Sequence, residues 1–244
     1  MKDKNIYLTQ FQKKGYFKIS NFFSKTLIKD LNEEVVKAEN VDKYFDKNQK
    51  LRRIERLYDK GVSLNKLNNK LLEFLSSLFD KNFVIFKDKF NAKPKGGEGF
   101  EAHYDGVFLF EKKDNSKYQG WYKYSNFFVN VLVAFDECNE SNGALEVAKA
   151  DFLTFDELLK NTRNDGTPKL DREYASNLIF DRIDLKSGDV LFFSNLCPHK
   201  SQDNKSNFNR RILYYTYAES NNQNIYSQYF EDKRDSISSK GGAL

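Results

Sequence analysis

The chain contains only two histidines, His103 in FEAHYDGVF and His199 in LCPHKSQDN. Asp105 follows His103 by two residues on a segment with strand character, and residues two apart on a strand point to the same side. An imidazole nitrogen and a carboxylate oxygen can then meet at one point, where His199 can join them. Two histidines and one carboxylate leave coordination positions open and are typical of non-haem Fe(II) oxygenases, whereas zinc more often takes three or four nitrogen or sulfur ligands.

An H-x-D pattern alone is a weak signal, because a histidine beside an aspartate is often only a hydrogen-bonded pair. The downstream sequence favours the metal site. His199 follows the strand-like GDVLFF by a short connection, and Arg210 opens the next strand-like segment. A guanidinium suits bidentate binding of a carboxylate. Arg210 and Arg211 alternate, so only one of them can point into a barrel. Cys197 is interpreted as a buried apolar thiol rather than a ligand.

Helices come first in the chain, and strands follow. Residues 24–38 form an amphipathic pattern that Ser24 can cap, and leucines recur at helical spacing over 64–80. TFDELLKN at 154–161 has the capping-box pattern of a short helix. From residue 83 the segments NFVIFKDKFNA, NFFVNVLVAF, GALEVA, GDVLFF and RRILYYTYA read as strands. This order predicts an α+β fold whose strands close into a barrel or jelly roll.

Several motifs together resemble the phytanoyl-CoA dioxygenase family of Fe(II)- and 2-oxoglutarate-dependent oxygenases. They occur in the family's order across residues 8–219: FQKKGYFKI, AHYDG, NGALEV, GDVLFFSNLCPHKSQDN and RRILYYTYAES. NAKP at 91–94 is also locally similar to a strand end of ectoine hydroxylase, a family member. The resemblance implies a double-stranded β-helix core, that is, a cupin-like jelly roll, with the N-terminal helices packed on one sheet.

The resemblance also implies roles for single residues. His103, Asp105 and His199 would hold Fe(II). Arg210 would bind the distal carboxylate of 2-oxoglutarate, the cosubstrate that is consumed together with O2. Three further positions are expected at the cosubstrate, namely Ser201, Asn91 and Lys87, although the last of these replaces a glutamine of ectoine hydroxylase.

The implied reaction is hydroxylation of an unactivated C–H bond, with decarboxylation of 2-oxoglutarate to succinate and CO2. Related halogenases carry Gly or Ala in place of the carboxylate, so Asp105 favours hydroxylation. Oxidative cyclisation or desaturation at the same site is an alternative. A binding protein without catalysis, or a cupin-like protein with another metal such as Zn or Mn, is a further alternative.

We expect a single oxygenase domain over residues 1–244. Its parts would be a helical N-terminal part (1–80), a jelly-roll core (about 83–219) with an insertion (150–182), and a C-terminal tail (220–244). The polar segment 111–125, which holds the only tryptophan, Trp121, is a candidate lid and substrate contact. The insertion and the tail can also wall the site. These segments favour a small polar or zwitterionic substrate.

Charge and cysteine content narrow the class of protein. The net charge of +5 is mild and the lysines are scattered, so no nucleic-acid partner is expected. Two cysteines without a CxxC motif predict no disulfide framework. No signal-peptide pattern and no apolar run of membrane-spanning length occur. A cytoplasmic protein without a membrane partner is therefore expected, and its oligomeric state stays open.

Overall fold

The computed structural model describes residues 2–111 and 117–240. The helices are α1 (Lys2–Lys14), α2 (Lys25–Lys37), α3 (Val62–Phe79), α4 (Phe155–Lys160), α5 (Arg172–Ser176) and α6 (Ile225–Lys240). The strands are β1 (Tyr16–Ile19), β2 (Asp42–Phe45), β3 (Leu51–Glu55), β4 (Phe83–Lys93), β5 (Phe100–His103), β6 (Leu109–Glu111), β7 (Lys117–Gln119), β8 (Phe128–Ala134), β9 (Leu145–Ala148), β10 (Phe180–Ile183), β11 (Val190–Ser194), β12 (His199–Ser201) and β13 (Arg210–Glu219).

Two antiparallel sheets form the jelly-roll core. The major sheet has the strand order β1-β11-β8-β13-β4-β3-β2, and the minor sheet has the order β10-β9-β12-β5. Leu132 and Ile212 of the major sheet pack against Leu145 and Val147 of the minor sheet. Period-two alternation in β8 and β13 turns these side chains inward and their neighbours to the opposite face. The expected α+β jelly roll is confirmed.

The N-terminal helices cover the other face of the major sheet. Leu31 of α2 and Leu71 of α3 are fully buried in one cluster with Val131 of β8 and Leu213 of β13. The Ser24 side chain accepts a hydrogen bond from the backbone N–H of Leu27 at 3.2 Å, so the predicted cap of α2 is formed. Helices packed on one sheet are therefore confirmed, and this layer leaves the opposite face of the sheet free to build a cavity.

The terminal segments differ from the sequence expectation. Residues 1–80 are not only helical, because β1, β2 and β3 extend both edges of the major sheet. These strands have only four or five residues, too few for a periodic pattern to identify them. The expected tail, 220–244, holds the helix α6, which packs against β4. Its apolar residues follow the helix period weakly, so its position depends on tertiary contacts.

The insertion forms two short helices beside the minor sheet. The Thr154–Glu157 capping box of α4 is present as predicted. The insertion ends slightly earlier than expected, because Phe180 already pairs with β9. The predicted lid at 111–125 falls partly on residues 112–116, which lie outside the described residues. Within the part of the chain that the structure describes, no helix combines the length and apolar character needed to cross a bilayer.

Candidate active site

The minor sheet brings the two histidines together. His103 ends β5, His199 begins β12, and the two residues are direct partners in the antiparallel pairing of these strands. Their ring centroids are 4.2 Å apart. Side chains of directly paired residues lie on the same face of a sheet, so both imidazoles point into the space between the sheets.

Asp105 reaches the same point from outside the strand. The sequence placed it on a strand with His103, but β5 ends at His103 and Asp105 lies in the bend that follows. Gly106 continues this bend with φ of +81°, a conformation that favours glycine. The Asp105 Oδ2 atom is 3.6 Å from His199 Nε2. One potential ligand atom from each of the three residues lies within 4.8 Å of the other two.

Hydrogen bonds orient all three groups. The Nδ1 atom of His103 lies 2.7 Å from the Glu101 carbonyl oxygen, and that of His199 lies 3.0 Å from the Cys197 carbonyl oxygen. Since a carbonyl oxygen only accepts, each Nδ1 carries a proton and each Nε2 offers its lone pair to the cavity. Asn130 donates to Asp105 Oδ2 at 2.9 Å, which fixes the carboxylate.

Electrostatics keep these residues in the protonation states that a metal needs. Burial lowers the pKa of His103 to about 3, and the nearby His199 adds to the decrease. Burial also lowers the pKa of His199. Burial alone would raise the pKa of Asp105, but the neighbouring imidazole of His199 and the charges of Lys89 and Lys87 favour the carboxylate and lower the value to about 2. Two neutral imidazoles and one carboxylate fit a ferrous ion with positions left for other ligands.

Arg210 begins β13 on the same side of the major sheet. It is 1% exposed, and its Nη1 donates to the Gly143 carbonyl oxygen at 2.8 Å. Its Nε is buried without a hydrogen-bond partner among the described residues, so the guanidinium has donors to spare for a carboxylate ligand. Arg211 points the other way and forms a bidentate pair with Asp136, at 2.7 and 2.8 Å. Alternation thus separates the two arginines as expected.

The NGALEV motif supports Arg210. Gly143 has φ of +71°, and a Cβ atom there would lie 2.1 Å from the Gln202 carbonyl oxygen. Only glycine fits this turn without displacing the segment that follows His199. The same turn places the Gly143 carbonyl where it accepts the hydrogen bond from Arg210.

A cavity of about 470 Å³ joins the histidines, Asp105 and Arg210. All the other predicted site residues also line it: Ser201, Asn91, Lys87 and Trp121. Ser201 accepts a hydrogen bond from Lys93 at 2.9 Å. Trp121 is 3% exposed and packs edge-on against Phe86.

Lys87 lies apart from the residues expected at the cosubstrate. In the pairing of β4 with β13, Lys93 is opposite Arg210, Asn91 is opposite Ile212, and Lys87 is opposite Thr216. Lys87 is therefore displaced from Arg210 by six residues along the strand, about 20 Å at 3.3 Å per residue. The role of Lys87 at the cosubstrate therefore stays a prediction, and its backbone position lies closer to the level of the metal ligands than to Arg210.

Sequence reasoning missed several residues of the cavity wall. Lys89 lies between Lys87 and Asn91 on the same face of β4, and the two-residue alternation of K-x-K-x-N was the signal for it. Asn130 interrupts the apolar strand β8, and a lone amide in such a strand signals a buried polar function. Thr216 Oγ1 donates to Asn130 Oδ1 at 2.7 Å and completes its environment.

Helix α6 closes one side of the cavity. Its residues Tyr229, Asp232 and Lys233 line the wall. Lys233 pairs with the buried Glu55 of β3, and Asp232 accepts a hydrogen bond from Tyr124. The prediction that the C-terminal residues reach back over the pocket is therefore confirmed, with a helix as the closing element.

Comparison with known proteins identifies oxygenases that resemble this chain. The family Phytanoyl-CoA dioxygenase (PhyH) matches residues 11–212. The 2-aminoethylphosphonate dioxygenase of Uncultured bacterium HF130_AEPn_1 is 27% identical over 241 residues, which cover 93% of this chain and 86% of that protein. The methylphosphonate hydroxylase of Gimesia maris is 27% identical over 246 residues, covering 94% and 86%.

A solved structure has the same fold. EctD from S. alaskensis, determined with 2-oxoglutarate and 5-hydroxyectoine, superposes with a TM-score of 0.66 at 18% identity. The match covers 86% of this chain and 74% of EctD. The fold and the site define a non-haem iron oxygenase, and the chain belongs to the phytanoyl-CoA dioxygenase family. It is a dioxygenase that depends on iron and 2-oxoglutarate.

Proposed function

We propose that this dioxygenase holds Fe(II) with His103, Asp105 and His199, binds 2-oxoglutarate through Arg210, and hydroxylates a C–H bond of a small organophosphonate. The observation that carries the proposal is the convergence of the three ligand groups, within 4.8 Å of one another, in a cavity that also holds the spare donors of Arg210. Ser201 and Asn91 are the polar neighbours available to the cosubstrate.

The chain's own residues do the positioning. When bound, iron and 2-oxoglutarate supply the oxidising chemistry: O2 is consumed, 2-oxoglutarate becomes succinate and CO2, and the substrate C–H becomes C–OH. Arg210 fixes the distal end of the cosubstrate with charge-assisted hydrogen bonds. Asn130 holds the carboxylate of Asp105 in place. Trp121 and the residues of α6 exclude water from the cavity.

The nature of the substrate follows from two supports. Both curated relatives described above are named for phosphonates, and each is matched along most of its length. The cavity has the volume of a small-molecule site, and its wall carries seven cationic residues against four acidic ones. An anionic substrate of a few heavy atoms suits this size and charge better than a long acyl chain.

The test starts without oxygen. Purified protein receives Fe(II) and then 2-oxoglutarate, and the expected result is a weak charge-transfer absorption in the visible region. On admission of O2, succinate should form in the presence of methylphosphonate or 2-aminoethylphosphonate. His103→Ala is the control and should show neither signal. Absence of the absorption in the unaltered protein, with no succinate from either phosphonate, would refute the proposal.

We also propose that residues 1–244 act as one oxygenase domain. In support, β1 from the N-terminal part pairs with β11 of the core, and α6 supplies part of the cavity wall. Limited proteolysis should release no stable fragment that lacks either segment and still binds 2-oxoglutarate with iron.

A further inference from the structure

Two half-buried lysines, Lys87 and Lys89, face the cavity from β4. Their charges act on Asp105, but within the described part of the chain neither forms a direct ion pair with an acidic side chain. Among the described residues, neither ammonium group takes part in a hydrogen bond or in an ion pair within 4 Å. Aromatic rings surround them instead: the Lys87 Nζ is 4.5 Å from the centroid of Trp121, and the Lys89 Nζ is 4.8 Å from that of Tyr214. Taking a charge partly out of water without a direct partner has a cost, and an anion bound between these two neighbouring ammonium groups would offset it.

The other cations of the cavity are already neutralised, with one exception. Seven cationic residues line the wall: Arg53, Lys87, Lys89, Lys169, Lys200, Arg210 and Lys233. Four of them have an acidic partner within 4 Å: Arg53 and Lys233 with Glu55, Lys169 with Glu101, and Lys200 with Glu146. Within the described part of the chain, only the two lysines and Arg210 lack one.

These cations start from two different levels of the paired strands β4 and β13. Arg210 is opposite Lys93 in the pairing of β13 with β4, whereas Lys89 is opposite Tyr214 and Lys87 is opposite Thr216. The lysines are thus displaced from Arg210 by four and six residues, about 13 and 20 Å along the strand. Thr216 is also the residue that contacts Asn130, the hydrogen-bond donor to Asp105. The lysine pair therefore lies level with the metal ligands.

We propose that Lys87 and Lys89 form the subsite that binds the dianionic phosphonate group of the substrate, separate from the cosubstrate site at Arg210. This inference rests on the proposed function. Two compact ammonium groups match the doubly charged, tetrahedral headgroup, since lysine binds phosphate-like groups as a point charge. Because Lys87 and Lys89 lie beside the metal ligands, a phosphonate group bound to them would lie close to the metal. The oxidised C–H bond would then belong to the carbon bonded to phosphorus or to the next carbon.

The test uses methylphosphonate as the probe and Lys87→Met and Lys89→Met as variants, because methionine keeps the length of the side chain and removes the charge. Calorimetry measures methylphosphonate binding with and without Fe(II) and 2-oxoglutarate, and the anaerobic visible absorption measures 2-oxoglutarate binding. Each variant should weaken methylphosphonate binding about 10- to 100-fold. The affinity for 2-oxoglutarate should stay within about twofold, which also shows that the variant is folded.

Two controls separate this subsite from a general charge effect. Lys169→Met removes a lysine of the same wall that is paired with Glu101 at 2.7 Å, and it should leave methylphosphonate binding within about twofold. Arg210→Met should weaken 2-oxoglutarate binding more than methylphosphonate binding.

Two outcomes would overturn the inference. In one, Lys87→Met and Lys89→Met weaken 2-oxoglutarate binding and leave methylphosphonate binding unchanged, which would assign the pair to the cosubstrate. In the other, the unaltered protein gives the visible absorption but binds neither methylphosphonate nor inorganic phosphate. This second outcome would refute the phosphonate subsite but would still support binding of iron and 2-oxoglutarate. Loss of the absorption itself would refute the proposed function instead.

Discussion

His103 and His199 are direct partners in the pairing of β5 with β12, with ring centroids 4.2 Å apart. Because alternate residues of a strand face opposite sides, a slip of one residue would turn one imidazole away from the cavity. The metal site therefore depends on the register of two short strands. Gly99 contributes to this register, since a Cβ atom there would lie 2.2 Å from the Ser201 carbonyl oxygen of β12.

Asn130→Ala should weaken Fe(II) binding about 10- to 100-fold, the usual cost of losing a residue that orients a metal ligand. Asn130 donates to Asp105 Oδ2 and so orients this ligand. The measurement is an anaerobic Fe(II) titration followed by the visible absorption in the presence of 2-oxoglutarate. Thr216→Val, which removes the donor to Asn130, should act in the same direction with a smaller effect. An unchanged Fe(II) affinity in Asn130→Ala would contradict this role.

Arg210→Met and Arg211→Met should have opposite signatures. Loss of Arg210 should raise the apparent KM for 2-oxoglutarate about 10- to 100-fold, because a charge-assisted hydrogen bond is worth about 1.5–3 kcal/mol. Loss of Arg211 breaks its pair with Asp136, and should lower the free energy of unfolding with little change in that KM. Steady-state kinetics and urea unfolding check both variants. The reverse pattern would show that the assignment of faces on β13 is wrong.

Gly143→Ala should destabilise the protein more than Gly96→Ala. Both glycines have nearly the same positive φ, +71° and +74°, but only Gly143 is crowded, whereas nothing lies within 4 Å of a Cβ atom at Gly96. The control should cost about 1–2 kcal/mol for the left-handed backbone alone. Gly143→Ala should cost more than this, because the new methyl group collides with the Gln202 carbonyl. It should also raise the KM for 2-oxoglutarate, because the Gly143 carbonyl that orients Arg210 would shift. Equal unfolding free energies would argue against the close contact with Gln202.

Lys93 should make stability depend on pH. Burial, with a smaller effect of the Arg210 charge, lowers the pKa of Lys93 to about 7 in the folded protein, against about 10.4 in the unfolded chain. Between these values the unfolded state binds more protons, so the free energy of unfolding should rise with pH, by at most about 1.4 kcal/mol per pH unit. Urea unfolding across this interval measures the slope. Lys93→Met should flatten it, and an equal slope in this variant would exclude Lys93 as the cause.

The outline of the fold could be predicted from the sequence, because segments with a strong local pattern form the element that the pattern predicts. The leucine repeat over 64–80 is a helix, Val62–Phe79, and the apolar segment around 128–134 is the fully buried strand β8. The two histidines and Asp105 were found through their types and the resemblance of their surroundings. By contrast, β1, β2 and β3 have only four or five residues each, too few for a clear alternation. In addition, β1 pairs with the distant β11, so its sequence neighbours do not reveal it.

The cavity wall was harder to predict because it depends on register. Lys87 was predicted at the cosubstrate from a local resemblance, and only the pairing of β4 with β13 shows its position along the strand relative to Arg210. Lys89 shares the K-x-K-x-N alternation with Lys87 and Asn91, but in a lysine-rich sequence that pattern alone does not show that this face of the strand lines a cavity. The residues of α6 reach the site through contacts with β3 and β4 that no periodicity encodes.

Helix α6 gives the cavity one of its walls, whereas the pairing of β5 with β12 brings the two imidazoles together. Enclosure of the cavity and assembly of the histidine pair therefore depend on different parts of the chain. A protein without α6 would keep both imidazoles and Arg210 but would open this side of the cavity to water.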